Sequence, residues 1–271
     1  MPPRPPLSCS AVAGLDRLLK PGTVVLLGEM HGTNECPGFV ANAACLALKS
    51  GDRVTVGLEI PSAEGKRFAA YLRSKGTEKD RAALLAGPFW SDPAAQDGRA
   101  SRAMLSLVES LRQRKADGYP VRVKLLDRKA KDRDRVMAER LRAAIEAAPA
   151  DLFLVLTGNV HTRTLPGSPW DPHRQNMGAL LVKRLPKKKI VALDLSHNGG
   201  MGWLCIPTMA DCGIHTQDAV RPGDEPRVSV YAKGVDLSGF HGFYHVGFLT
   251  PSLPAAVPVD KDSKIRKVPG G

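Results

Sequence analysis

The sequence predicts an α/β fold: a mainly parallel central sheet covered by helices on both faces, with antiparallel additions from the C-terminal quarter. Two observations predict it. Near-continuous apolar runs of five to eight residues, such as Thr23–Leu27, Arg53–Ile60 and Leu152–Leu156, alternate with segments of helical period. Strands buried on both faces read as unbroken apolar runs, and a strand–helix–strand order joins them in parallel. Composition agrees. Apolar residues are 43% and charged residues 24% of the 271, which is ordinary for a globular chain, and this length supports a sizeable core. No apolar run reaches the roughly 18 residues of a membrane span.

Taken in order, residues 1–21 read as an N-terminal arm, Pro-rich over the first ten, and no apolar leader region is visible there. A first strand runs over 23–27 and stops at Gly28. A helix over 40–49 follows, with Pro37 suited to its first turn. The second strand covers 53–60, and Pro61-Ser62 opens a helix to about Ser74. Residues 76–100 carry Gly87-Pro88, Asp92-Pro93 and Asp97-Gly98. They read as a loop or short helical insertion, long enough to be a lid. Ser101–Arg114 is amphipathic, with Met104, Val108 and Leu111 on one face. Strand 121–126 ends at Asp127, helix 132–148 follows, and strand 152–156 ends in Thr157-Gly158. A helix over 176–185 and a strand over 190–193 complete the pattern. Beyond Ser196, glycine-rich turns alternate with strand-like pieces at 203–206, 228–231 and 243–249. One domain is expected over 22–250, with a flexible tail from 251.

The formal charge is +12, and twelve Lys/Arg against five Asp/Glu fall between Arg112 and Arg142. Those charges lie on two expected helices and their connector, where solvated faces carry charge. No nucleic-acid motif accompanies them, so a nucleic-acid partner is not expected and a small-molecule or peptide substrate is. Of the five cysteines, Cys205 and Cys212 are spaced to bridge across a turn, a pairing that suits an oxidising compartment. No Cys-x-x-Cys motif is present. The compartment stays open.

Ligands of open α/β sheets bind outside the carboxyl ends of the strands. The expected strands deliver Glu29 and His31, Glu59, Asp127, His161, and Asp194 with His197 to that edge. Gathering ionisable groups there costs stability unless they pair or bind a metal. Two pieces match each other: Gly28-Glu29-Met30-His31 and Gly158-Asn159-Val160-His161, each an apolar strand followed by Gly-x-x-His. Glycine lets the backbone approach closely there. Glu29, His31, Glu59 and His161 are therefore the candidate catalytic residues, with His31 as general base on a water, supported by Glu29 or Glu59, and His161 as a second base or acid. Arg99, Asp127 and Asn159 are candidate substrate-binding residues, Arg99 or Asn159 as donor to a developing oxyanion. His31, Glu59 and His161 also form a candidate set for a divalent metal, since two imidazoles and a carboxylate leave an open position. Neither a serine nucleophile elbow nor His-Glu-x-x-His is present. His197 reads as a turn residue.

The segment Gly28-Glu29-Met30-His31-Gly32-Thr33 resembles the Gly-Glu-x-His-Gly signature of the erythromycin esterase-like, ChaN-like and Tiki superfamily. The resemblance extends to Gly57-Leu58-Glu59, Asp97-Gly98-Arg99-x-Ser101 and Gly158-Asn159-Val160-His161, over roughly residues 22–195. It implies an α/β fold with its site at the strand ends. Esterase-like members imply lactone hydrolysis with histidine and glutamate activating water. Tiki-like members imply a metal-dependent protease, and ChaN-like members imply haem binding without turnover. A haem would call on Tyr244 or His245, in the aromatic- and histidine-rich segment 239–245.

Overall fold

The computed structural model describes residues 4–128, 130–206 and 211–258. The parallel core is built from β1 (Val24–Glu29), β2 (Val54–Pro61), β3 (Val121–Asp127), β4 (Leu152–Gly158) and β5 (Ile190–Ser196). Helices α1 (Glu35–Lys49), α5 (Arg102–Ala116), α6 (Arg133–Ala147) and α8 (Met177–Arg184) form the crossovers. Between β2 and α5 lie the short helices α2 (Gly65–Tyr71), α3 (Glu78–Leu85) and α4 (Pro88–Ser91), and α7 (Asn159–Thr162) follows β4 directly. The C-terminal part adds β6 (Gly200–Cys205), β7 (Cys212–Gln217), β8 (Arg227–Val230) and β9 (Gly242–His245). Among the described residues seven strands share one sheet in the order β3-β2-β4-β1-β5-β9-β8, and β6 with β7 makes a separate hairpin.

The apolar runs are unbroken because the strand period of two sends neighbours to opposite cores. Val25, Leu27, Leu154, Leu156 and Leu193 join the core under α1 and α5, with Val40, Met104 and Leu107. Val24, Leu26, Phe153, Val155 and Ala192 join the core under α6 and α8, with Met137, Leu141 and Leu181. Register is in line across the centre: Leu27 sits opposite Leu156 in β4 and Leu193 in β5. The Ser101 side chain caps α5 by accepting the Met104 N–H.

Residues 76–100 form no free flap. Leu84, Phe89 and Trp90 are buried in the first core, and buried Glu64 accepts the Phe89 N–H at 3.1 Å. The segment is a wall, and it carries Asp97 and Arg99 to the strand ends. The N-terminal segment is also fastened. Leu15 and Leu18 are buried, and a Cys9–Cys45 disulfide ties it to α1. The expected Cys205–Cys212 bridge closes the β6–β7 hairpin, and Cys36 is a buried free thiol. In the C-terminal quarter β8 is the antiparallel edge strand, while β9 pairs parallel with β5. No described helix is long and apolar enough to cross a membrane.

Candidate active site

Strand order builds the site. Because β2, β4 and β1 are neighbours and β3 flanks β2, Glu59, Gly158, Glu29 and Asp127 end side by side. Both motif glycines serve close approach. A Cβ on Gly28 would stand 2.9 Å from the Asn159 Cα, and one on Gly158 would stand 3.1 Å from His31 Nε2. The first histidine follows β1 by two residues, and the second sits in α7.

The two imidazoles meet. His31 Nδ1 donates to Glu29 Oε1 at 2.9 Å, and His161 Nδ1 donates to Asp134 Oδ1 at 2.7 Å. A carboxylate on Nδ1 fixes ring orientation and tautomer. Each ring therefore directs Nε2 toward one atom, Glu59 Oε1, at 3.6 Å from His31 and 3.8 Å from His161. His31 keeps 21% of its side chain exposed, so the cluster opens to solvent on that side.

Glu59 is the hub. Its Oε1 accepts from Arg133 at 2.6 Å and lies 3.6 Å from Arg99, and its Oε2 accepts the Gly158 N–H at 2.7 Å. Burial opposes its charge, but His31, His161 and Arg133 outweigh burial and hold Glu59 well below the usual carboxylate range. Burial alone would lower the pKa of His31. The Glu59 and Glu29 carboxylates overcome it and push His31 up to about 10, so the imidazole is protonated at neutral pH. Asp134 is likewise held low, against its burial, by His161 and Arg174.

Several expected residues take other positions. Arg99 is spent on carboxylates: Nε and NH2 on Asp97 and NH1 on Asp127 at 2.7 Å. Asp127 is spent on Arg99 and Arg133, the latter at 2.6 Å. Both brace the cluster through these carboxylate–guanidinium pairs. Asn159 is exposed, two residues before His161. Asp194 pairs with Arg221, and His197 is not the turn residue expected but a buried histidine in a β-bridge with Val220, its Nδ1 accepting the Gly199 N–H. The fifth strand therefore adds nothing to the cluster. Tyr244 is buried and donates to Gly28 O at 2.8 Å. His245 is buried between Ser196 and Gly223. Neither is open to an axial iron position.

The metal reading fits these residues poorly. Arg133 already balances the Glu59 carboxylate and Arg99 stands near it, and among the described residues no group of three His, Cys, Asp or Glu side chains is disposed to hold an ion. Sequence reasoning missed Arg133, Asp134 and Arg174. Asp134 and Arg133 begin the helix after β3, a position compatible with a capping acid. Arg174 lies in an irregular loop that carries no signal, and it grips Asp134 Oδ2 at 2.8 Å.

No protein-family model matches the chain, and no curated protein is detectably similar in sequence. Solved structures are similar in fold. A succinoglycan biosynthesis protein superposes with a TM-score of 0.63 at 12% identity, covering 89% of this chain and 91% of that one. The erythromycin esterase EreC, a mutant in its open conformation, gives 0.54 at 13%, covering 90% and 95%. A Bacillus cereus protein gives 0.51 at 10%, covering 92% and 96%. The chain shares its fold with these structures, an erythromycin esterase among them.

Proposed function

We propose that the cluster hydrolyses an ester, lactone or amide with water as the nucleophile. One observation carries the reading: two histidines, each pinned at Nδ1 by its own carboxylate, point Nε2 at the same carboxylate oxygen. Two oriented imidazoles at one point supply a general acid and a general base together, as hydrolysis by water uses them. That EreC, of the same fold, is an esterase by name supports the class.

The two rings divide the work. His31, between Glu29 and Glu59, holds a proton and is the acid, which reverses the expectation of His31 as base. His161 is the base. As the water oxygen attacks the carbonyl carbon, His161 Nε2 takes its proton. As the carbon–leaving-group bond breaks, His31 Nε2 protonates the departing oxygen or nitrogen. The products are a carboxylic acid and an alcohol or amine, and solvent returns the proton from His161 to His31. The Asn159 amide donates to the carbonyl oxygen as it becomes an oxyanion. Glu59, Arg99, Arg133 and Asp127 form the charge-balanced floor.

The test is a panel of ester, lactone and peptide substrates with His31→Ala and His161→Ala variants. Each substitution should lower turnover by about 10²–10⁴-fold with the fold intact by circular dichroism, and a chelator should leave wild-type turnover unchanged. Equal turnover in wild type and both variants overturns the reading.

A further inference from the structure

Beside the histidine cluster lies a cavity of about 480 Å³ between the start of α6 and the loop before α8. Asp134 is shared between the two: one oxygen holds His161, and the other holds Arg174, which lines the cavity. A ligand seated there is one side chain away from the reacting ring.

The lining states what fits. Leu180 is the single aliphatic side chain among the nine lining residues, so a lipid or another aliphatic ligand finds no apolar wall. Charge does not select an ion either. The cations Arg133, Arg174 and Arg135 are already paired with Asp127 and Glu59, Asp134, and Asp132 with Glu139. What remains is mixed. Among the described residues Lys131 Nζ, a donor, has no partner, and Asp171 offers a carboxylate of which only Oδ1 is used, by the His173 N–H. Gln175 gives its amide nitrogen to His173 O and keeps its carbonyl. A phosphate or carboxylate ligand wants donors alone and is repelled by Asp171. A hydroxyl is donor and acceptor at once and suits this set.

Next to Asp171 stands Trp170, 69% exposed. The turn that carries it is hydrogen-bonded: Ser168 and Asp171 exchange backbone hydrogen bonds across it at 2.8 and 3.3 Å, and Asn176 holds Gly167 O. An indole left in water one residue from Asp171, which lines the polar cavity, is an apolar platform for a ligand with one flat carbon face and many hydroxyls. The geometry points to a sugar-binding subsite here: Trp170 stacks on a neutral saccharide ring whose hydroxyls meet Asp171, Gln175 and Lys131. As the substrate-class assignment for the histidine cluster it rests on the hydrolase reading, and as a binding site it does not.

The test is a tryptophan-fluorescence titration of the full chain with maltohexaose, cellohexaose and chitohexaose, and with trigalacturonate as the acidic probe. Trp90 and Trp203 are buried, so Trp170 reports. A neutral oligosaccharide should quench or blue-shift the emission saturably. Isothermal titration should then give about tenfold weaker binding for Trp170→Ala, partial recovery for Trp170→Tyr, weaker binding for Asp171→Asn, and unchanged binding for His161→Ala. Absence of saturable binding by any neutral probe, equal affinity in Trp170→Ala, or binding of trigalacturonate alone overturns the proposal. Ester hydrolysis abolished by His161→Ala, without sugar binding, leaves the hydrolytic reading standing and removes this one. Sugar binding without turnover of any substrate does the reverse.

Discussion

Replacing Glu59 by Gln tests the hub of the site directly. The side chain is buried, and the isosteric amide keeps its shape while removing its charge. In the native arrangement Oε1 accepts from Arg133 at 2.6 Å and Oε2 accepts the Gly158 N–H at 2.7 Å. A glutamine has one acceptor. If its oxygen faces Arg133, its NH2 confronts the Gly158 N–H. If it faces Gly158, the NH2 confronts a guanidinium. Either orientation strands a buried donor, which costs about 1–3 kcal/mol. The protonated His31 and Arg133 also lose the anion that balances them, and breaking a buried pair from one side costs about 3–5 kcal/mol in all. For a chain of this size that corresponds to a fall in Tm of roughly 10 °C. The loss is pH-dependent, with a sign fixed by the two groups. His31, raised from 6.5 to about 10, contributes fully below pH 6.5, and its contribution fades as pH rises toward 10. Glu59, lowered from 4.5, contributes fully above that value and less as pH falls through its folded pKa. The gap between wild type and Glu59→Gln should therefore be widest between about pH 4.5 and 6.5 and narrow on both sides. Urea denaturation across this range measures it. A variant as stable as wild type at pH 5.5 would falsify the view of Glu59 as the charge that assembles the cluster.

Two further outcomes follow from the same geometry. Asp134→Asn leaves His161 without a carboxylate on Nδ1 and Arg174 without its partner. Turnover should drop by about 10²–10⁴-fold for a stability cost of about 1–3 kcal/mol, read by steady-state kinetics beside a denaturation curve. A variant with wild-type kcat assigns Asp134 to packing alone. Trp90→Ala removes a fully buried indole from the wall that carries Arg99, and should cost about 3–5 kcal/mol by denaturation. A loss below about 1 kcal/mol would return residues 76–100 to the status of a detachable flap.

The site has a mixed economy of charge that the fold explains. Glu59, Asp127, Arg99 and Arg133 interlock because four strand or loop ends converge, and their mutual neutralisation lets ionised groups survive burial. His31 sits at the solvent side of that floor with 21% of its side chain exposed, and His161 lies buried behind it.

The sequence by itself determined the layered parallel sheet, since apolar runs with a period of two admit no other burial than two cores on opposite faces. It also marked Glu29, His31 and His161, because two matched Gly-x-x-His strand ends are a local pattern, and Glu59, because an acid stands in an otherwise apolar strand end. The tertiary structure decided the rest. Strand order is a choice among pairings distant in the chain, and only it makes β2, β4 and β1 neighbours. β5 is the other neighbour of β1, and there a side-chain pairing with Arg221, unreadable in the sequence, occupies Asp194. Arg99 and Asp127 read alike as ligand-binding groups until their partners are seen, because a charged side chain carries no local sign of whether its counter-ion is a substrate or a neighbour. Asp134 and Arg174 were invisible for the same reason: what they do is defined by His161, 27 and 13 residues away in sequence, and only folding brings them together.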